Sequence, residues 1–166
     1  MRNTSGFTRT LVSAGPAADR TAKMDLYGWL IGDWVSDATV HLDDGTTHTG
    51  QGEIHFAWAL EGRAIQDVWI LPGLFYGTTL RVYDPALDAW HIIWSDPVRQ
   101  LYTRQLGRAR GRDIVQEGQS DKGVPMRWSF VDTAPDSFRW LGERSLDGGA
   151  SWHLQSEYRA KRVPEA

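Results

Sequence analysis

The sequence predicts an all-β protein, an antiparallel up-and-down barrel of about ten strands with a short N-terminal helix that plugs one end. After Trp34, and beyond a first, longer interval, turn signals rich in Gly, Pro and Asp recur about every 11 to 14 residues, close to the spacing in sandwich and barrel proteins. No segment between these turns has the length and 3.6-residue period of a crossover helix, so consecutive strands should pair antiparallel. Closure is favoured because it removes the exposed edges of so large a sheet.

The composition is that of a soluble globular protein. The chain has 166 residues, 41% hydrophobic and 23% charged, which suits one domain with a sizeable core. A net charge of −3 and the absence of a Lys/Arg block argue against nucleic-acid or membrane partners. The chain has no cysteine, which fits a cytoplasmic location. Its nine tryptophans must be buried or presented to a ligand.

The N-terminal region divides into a tail and a helix. Residues 1–18 are rich in Ser, Thr and Gly without a pattern, so we expect a flexible tail before a single barrel domain over residues 19–163. A helical pattern begins at Asp19, and Gly32 is placed to end it. The apolar residues on one face of this helix are Ala22, Leu26, Trp29 and Leu30.

Hairpin register predicts which residues of the first two strands share a face. A three-residue loop at Asp43–Gly45, with the glycine in the left-handed conformation, places Trp34 opposite Ile54. A two-residue loop would place Trp34 opposite His55 and would split the apolar faces, which a half-buried sheet disfavours. We therefore expect the three-residue loop.

The last three strands give a clear apolar face under the same reasoning. A turn centred on Ala134 pairs Trp128 with Trp140, and a three-residue loop at Asp147–Gly149 pairs Arg144 with Trp152. The predicted inward residues are Met126, Trp128, Phe130, Phe138, Trp140, Trp152, Leu154 and Tyr158. The predicted outward residues are Arg127, Ser129, Arg139, Glu143, His153, Gln155, Glu157 and Arg159.

Mid-chain, one strand has an undecided phase. Trp90, Ile92 and Trp94 form one face of their strand, and we place them inside. In the third strand, the inward set depends on whether the Glu61-Gly62 loop has two or three residues. The two candidate sets are Ile65, Asp67 and Trp69, or Gln66, Val68 and Ile70.

Six fragments between residues 28 and 162 have an order and spacing known from one superfamily. They are Leu30–Trp34, Leu60–Arg63, Val82–Pro85, Trp94–Asp96, Asp147–Trp152 and Tyr158–Arg162. In these fragments the chain resembles the calycin superfamily of lipocalin-like barrels, and most closely its uncharacterised bacterial members. Ten strands are more similar to the fatty-acid-binding and nitrobindin branches than to eight-stranded lipocalins. Calycins include carriers, haem proteins and enzymes, so the resemblance implies a fold and leaves the activity open.

The resemblance also implies a contact at the closed end of the barrel. In lipocalins the tryptophan of the Gly-x-Trp motif packs against an arginine of the last strand. Here that implies a cation–π contact between Trp34 and either Arg159 or Arg162.

The candidate ligand site lies among the inward aromatic rings. The predicted ligand-binding residues are Trp58, Asp67, Trp69, Trp94, Trp128, Trp140, Arg144 and Tyr158. The tryptophans are a stacking platform for a planar apolar ligand, unless they simply fill the barrel. An inward Arg144 needs a carboxylate or an anionic ligand, with Asp67 or Gln66 as its counter-group, unless it opens to solvent at the rim.

We therefore expect a barrel that binds a small, largely apolar molecule, with a carboxylate on that molecule as one option. The alternative is an isomerase, cyclase or lyase that uses Asp67, Tyr158 or Arg144 as acid/base groups. Haem binding is the weakest option, because the register places His153 outside. No cofactor or metal is predicted, since the histidines at a seven-residue interval alternate between strand faces. A homodimer is left open.

Overall fold

The computed structural model describes residues 5–165 and shows a closed antiparallel barrel. Each barrel strand pairs with its neighbours in the chain, and the last strand pairs with the first. The strands are β2 (Gly32–His41), β3 (Thr47–Ala59), β4 (Ala64–Leu71), β5 (Phe75–Asp84), β6 (Ala89–Asp96), β7 (Leu101–Arg110), β8 (Asp113–Ser120), β9 (Pro125–Ala134), β10 (Ser137–Arg144) and β11 (His153–Arg162). The predicted all-β barrel of ten strands is confirmed.

An N-terminal segment with short helices and one short strand precedes the barrel. It contains helix α1 (Gly6–Leu11), the two-residue strand β1 (Val12–Ser13), a 3-10 turn (Ala18–Arg20) and helix α2 (Thr21–Gly28). Strand β1 pairs antiparallel with the end of β3. The boundaries proposed for the tail and the barrel domain stay a prediction. No helix in the described part of the chain is long and apolar enough to cross a membrane.

Helix α2 plugs one end of the barrel, as predicted, and two of its buried residues lie outside the predicted face. Met24 and Tyr27 are fully buried, whereas Ala22 is exposed. The Tyr27 ring contacts the rings of Trp90 and Phe130 edge-on, with centroids 5.0 and 6.2 Å apart. The predicted face is confirmed in part, because three of its four residues are buried or pack against the core: Leu26, Trp29 and Leu30.

The barrel interior follows the two-residue period of its strands. The predicted pairing of Trp34 with Ile54 is confirmed, and both side chains are buried. The undecided strand is β4, whose residues Ile65, Asp67 and Trp69 point inward and are 0%, 1% and 5% exposed. The predicted inward placement of Trp90, Ile92 and Trp94 is also confirmed.

The predicted register between β9 and β10 was wrong by two residues. Trp128 lies opposite Gly142, and Trp140 lies opposite Phe130. An irregularity near the turn absorbs the difference, where Asp132 takes a left-handed backbone with φ 49°. A slip of two residues preserves the faces, so both tryptophans still point into the barrel.

The start of β11 departs further from the prediction. Trp152 precedes the strand, and its ring lies 4.4 Å from the guanidinium of Arg127 on the outer surface. Arg144 pairs with His153, and a bulge follows Gly142. Because a bulge changes the alternation of faces, Leu154 is 40% exposed and Gln155 lines the interior. The predicted directions of Trp152, Leu154 and Gln155 were therefore wrong.

Arg162 latches the closed end of the barrel. Its guanidinium lies 4.2 Å from the centroid of the Trp34 ring. It also donates hydrogen bonds to the carbonyl oxygens of Ile31 and Trp29, at 2.7 and 2.5 Å. The Trp34 indole in turn donates to the carbonyl of Leu30 at 2.8 Å. Of the two arginines that the resemblance offered, Arg162 makes the contact.

Replacing Arg162 with Gln should lower the free energy of unfolding by about 2–4 kcal/mol, because charged hydrogen bonds and a cation–π contact are lost together. The matched control is Arg159→Gln. The Arg159 side chain is 67% exposed, and its one ion pair among residues 5–165 is with Glu157, so its loss should cost less than about 1 kcal/mol. Urea denaturation followed by tryptophan fluorescence measures both. Equal losses would contradict the latch.

Candidate functional site

The barrel holds a cavity at the end opposite α2. Its volume is about 370 Å³, within the range of small-molecule sites. Strands β2, β6 and β10 begin near α2 and run towards the cavity. Residues near their C-terminal ends line it: Val40, Asp96 and Gly142. One end of the barrel is therefore packed shut, and the other is open.

Aromatic rings form the wall of the cavity. The lining aromatic residues are Trp69, Phe75, Trp94, Trp128, Trp140 and Tyr158. They form a continuous chain of ring contacts, with centroids 5.3 Å apart for Trp69 and Trp140, and 5.4 Å for Trp128 and Trp140. Such a wall suits a flat apolar molecule, because aromatic faces stack and their edges attract.

Two glycines allow the tryptophan rings to lie against the barrel wall. The ring of Trp94 covers Gly77, where a Cβ atom would collide with it. A Cβ atom on Gly142 would lie 2.7 Å from the ring of Trp140 and 2.7 Å from the hydroxyl of Ser156. A ring that lies over a glycine occupies space along the strand instead of space in the lumen. The cavity therefore stays open although its wall is rich in large residues.

The cavity mouth carries an excess of positive charge. Three cationic side chains line it, Arg99, Lys122 and Arg144, against two carboxylates, Asp43 and Asp96. Arg144 Nη2 donates to Asp43 Oδ1 at 2.6 Å, and its side chain is 28% exposed. Arg99 and Lys122 are exposed and have no ion-pair partner among residues 5–165.

Asp96 stabilises a turn at the cavity mouth. Its carboxylate is buried and accepts hydrogen bonds from the backbone N–H groups of Val98 and Arg99, at 2.9 and 3.0 Å. These bonds hold the turn after β6 in place. The backbone of Arg99 is therefore held in a fixed position at the cavity mouth.

A buried ion pair forms the floor of the cavity. Arg81 Nη1 donates to Asp67 Oδ2, and the two side chains are 1% and 0% exposed. Asp67 Oδ1 accepts the backbone N–H of Thr79 at 2.8 Å. The guanidinium also lies 5.3 Å from the Tyr27 ring and 5.5 Å from the Phe56 ring. Arg81 and Thr79 line the cavity, while Asp67 lies behind them.

The structure brings six of the eight predicted site residues together at the cavity, all except Trp58 and Asp67. Trp58 packs against Gly28 of α2, where a Cβ atom would lie 2.9 Å from its ring. The expected pairing of Asp67 with Arg144 was wrong, because Asp67 binds Arg81 and Arg144 binds Asp43 at the rim. The ligand-binding role of the eight residues stays a prediction.

Two buried polar atoms of the wall lack partners. The Tyr158 hydroxyl and the Trp69 indole nitrogen have no hydrogen bond among residues 5–165. Buried polar groups are normally paired with protein or water. Burial raises the pKa of Tyr158, so its hydroxyl stays protonated at neutral pH and is a hydrogen-bond donor.

The histidines do not gather at the cavity. His41 lines its mouth, and the Nδ1 atom of His41 lies 3.1 Å from the hydroxyl of Thr47. His55 lies outside between Asp33 and Glu53, and His153 is exposed. Within residues 5–165 no group of three or more potential metal-ligating side chains occurs.

The buried ion pair gives a direct test of the floor. Asp67→Asn should lower the free energy of unfolding by about 3–5 kcal/mol, because it leaves Arg81 charged and unpaired in the interior. The double variant Asp67→Leu/Arg81→Met removes both charges and should be much more stable than Asp67→Asn. Urea denaturation measures both. A double variant less stable than Asp67→Asn would contradict this description.

Solved structures with a similar fold exist, although no protein-family model and no curated protein matches the sequence. The crystal structure of Rv2717c from M. tuberculosis matches with 14% identity and a TM-score of 0.63, over 90% of this chain and 99% of that chain. The S-type phycobiliprotein lyase CPES from Guillardia theta matches with 12% identity and a TM-score of 0.60, over 90% and 100%. At these identities the likeness shows the fold alone, which is a ten-stranded antiparallel barrel.

Proposed function

We propose that this barrel binds a small, flat, largely apolar molecule that carries one anionic group. The observation that carries the proposal is an open cavity of about 370 Å³ with an aromatic wall and a cationic mouth. The ligand body would lie between Trp128, Trp140 and Trp94, where it contacts ring faces and edges. Its anion would lie near Arg99 and Lys122.

The charges at the mouth favour an anion over a cation or a neutral end. Three cations and two carboxylates leave one net positive charge among these side chains. Arg144 is already engaged with Asp43, so the unpaired Arg99 and Lys122 are the groups that a ligand carboxylate would meet. Both side chains are exposed, so their contribution should be modest and should fall with added salt.

Matched probes test the aromatic cavity and its cationic mouth. We expect 2-naphthoate to quench tryptophan fluorescence on binding, and to bind several-fold more tightly than its neutral methyl ester. The variant Arg99→Gln/Lys122→Gln should abolish that difference, because it removes the unpaired cations. With the unmodified protein, the preference for naphthoate over its ester should also shrink at high salt, because salt screens exposed charges.

The control is Arg108→Gln/Arg112→Gln, which changes the net charge equally at the β7–β8 turn near the closed end. This variant should keep the preference for naphthoate over the ester. If both double variants lost the preference equally, the preference would come from the overall charge of the protein and not from the cavity mouth. If neither probe changes tryptophan fluorescence, the cavity does not bind such molecules and the proposal is wrong.

A lyase on the same scaffold is the second candidate. The neighbour from Guillardia theta is an S-type phycobiliprotein lyase, and the buried Tyr158 hydroxyl has no partner among residues 5–165. Because burial raises the pKa of Tyr158, that hydroxyl would stay protonated and would stabilise developing negative charge as a hydrogen-bond donor, not act as a base. The other acid/base candidate, Asp67, is held by Arg81 and Thr79 beneath the cavity.

Mass spectrometry separates the two candidates. Molecules that co-purify with the protein are identified by native mass spectrometry and then incubated with fresh protein. A carrier leaves their mass unchanged, whereas a lyase changes it. Tyr158→Phe should keep binding in either case and should stop only a conversion that needs its proton.

A further inference from the structure

Two side chains of the cavity floor carry hydrogen-bond donors that are free to bind a ligand. Thr79 and Arg81 line the cavity and are each 1% exposed. The Thr79 hydroxyl and Arg81 Nη2 have no hydrogen-bond partner in the described part of the chain. Both can donate to an oxygen atom that enters the cavity.

Buried polar groups also lie on β7 and β8, where Gln116 Oε1 accepts a hydrogen bond from Arg81 Nε at 3.4 Å. Thr103 Oγ1, both amide atoms of Gln105 and Gln116 Nε2 are buried without a partner within residues 5–165. A buried polar group that stays unpaired destabilises the folded state. Of these residues, Thr79 and Arg81 line the cavity, so their side chains are the ones that can meet a hydrogen-bonding atom of a ligand.

The charge of the floor decides what kind of polar group fits. The Arg81 guanidinium is already balanced by Asp67, and both side chains are fully buried. A ligand carboxylate placed beside them would leave one buried negative charge without a counter-charge, which is strongly unfavourable. A ketone, amide or hydroxyl oxygen accepts the same hydrogen bonds without adding charge.

We propose that the ligand enters the barrel with a neutral oxygen group first and keeps its anion at the mouth. This inference rests on the proposed function and adds the ligand's orientation and its second polar group. The inner oxygen accepts hydrogen bonds from the Thr79 hydroxyl and the Arg81 guanidinium. The ligand class is therefore a flat aromatic or conjugated acid with a neutral oxygen at the end remote from its carboxylate.

Three naphthalene acids test the orientation on the unmodified protein. They share the ring and one carboxylate and differ at the far end: 6-acetyl-2-naphthoate, 6-ethyl-2-naphthoate and 2,6-naphthalenedicarboxylate. The acetyl acid should bind about tenfold more tightly than the ethyl acid, the equivalent of one net hydrogen bond. Because the ethyl group is the more hydrophobic, this order opposes simple partitioning. The dicarboxylate should bind most weakly.

Thr79→Val assigns the preference to the floor. The two side chains have similar shapes, and the backbone N–H of residue 79 still reaches Asp67. The acetyl acid should then lose most of its advantage, while the ethyl acid should bind as before. The matched control is Thr39→Val on the outer face of β2, which should leave both affinities unchanged.

The outcomes distinguish this inference from the function beneath it. If none of the acids alters tryptophan fluorescence, the proposed function fails and the orientation fails with it. If all three bind but the dicarboxylate matches or exceeds the acetyl acid, the cavity binds ligands and only the orientation is wrong. An acetyl advantage that survives Thr79→Val would also overturn the assigned floor.

Discussion

The pairing of β11 with β2 is the constraint on which the other features depend. Seven residue pairs, from Ser156 opposite Val40 to Arg162 opposite Trp34, turn an open sheet into a closed barrel. Closure satisfies the edges of both strands and surrounds the aromatic interior on all sides. It also brings Arg162 over Trp34 and against the carbonyl groups that follow α2. One end of the barrel is then shut by packing, which leaves only the other end for a ligand.

The interior of this barrel is not uniformly apolar, and its layers have different tasks. Near α2, the rings of Tyr27, Trp90 and Phe130 pack tightly. Above them Asp67 and Arg81 form an ion pair with no net charge, and Arg81 keeps a donor group that faces the cavity. Above that layer, tryptophans line an open cavity, and the mouth carries exposed cations. A buried ion pair is weak evidence for stability, so we infer that its place beneath the cavity serves recognition.

Much of the barrel could be predicted from alternation and turns. The Asp43–Gly45 loop fixes the pairing of Trp34 with Ile54, and the alternation of Trp90, Ile92 and Trp94 fixes their face. The errors occur where the chain leaves regular pairing. At Asp132 a left-handed backbone occurs without a glycine to signal it. Before β11, the side chains of Ser145 and Asp147 accept hydrogen bonds from backbone N–H groups of the loop. The strand therefore begins only after Trp152.

The candidate site shows the same limit. Its tryptophans could be predicted because large apolar residues on one strand face must point inward. Arg81 was missed because an arginine between alternating residues is normally an outward one. Its partner Asp67 lies opposite Thr79, so the ion pair runs diagonally between β4 and β5. Only the three-dimensional register shows that one inward charge compensates the other.

A crystal structure of the protein with 6-acetyl-2-naphthoate tests the central claim most directly. We expect electron density for the ring system inside the barrel, between Trp94, Trp128 and Trp140, with the carboxylate towards Arg99 and Lys122. We also expect the ketone oxygen within hydrogen-bonding distance of Thr79. Density only on the outer surface, or tryptophan rings collapsed across the lumen, would contradict a ligand-binding barrel.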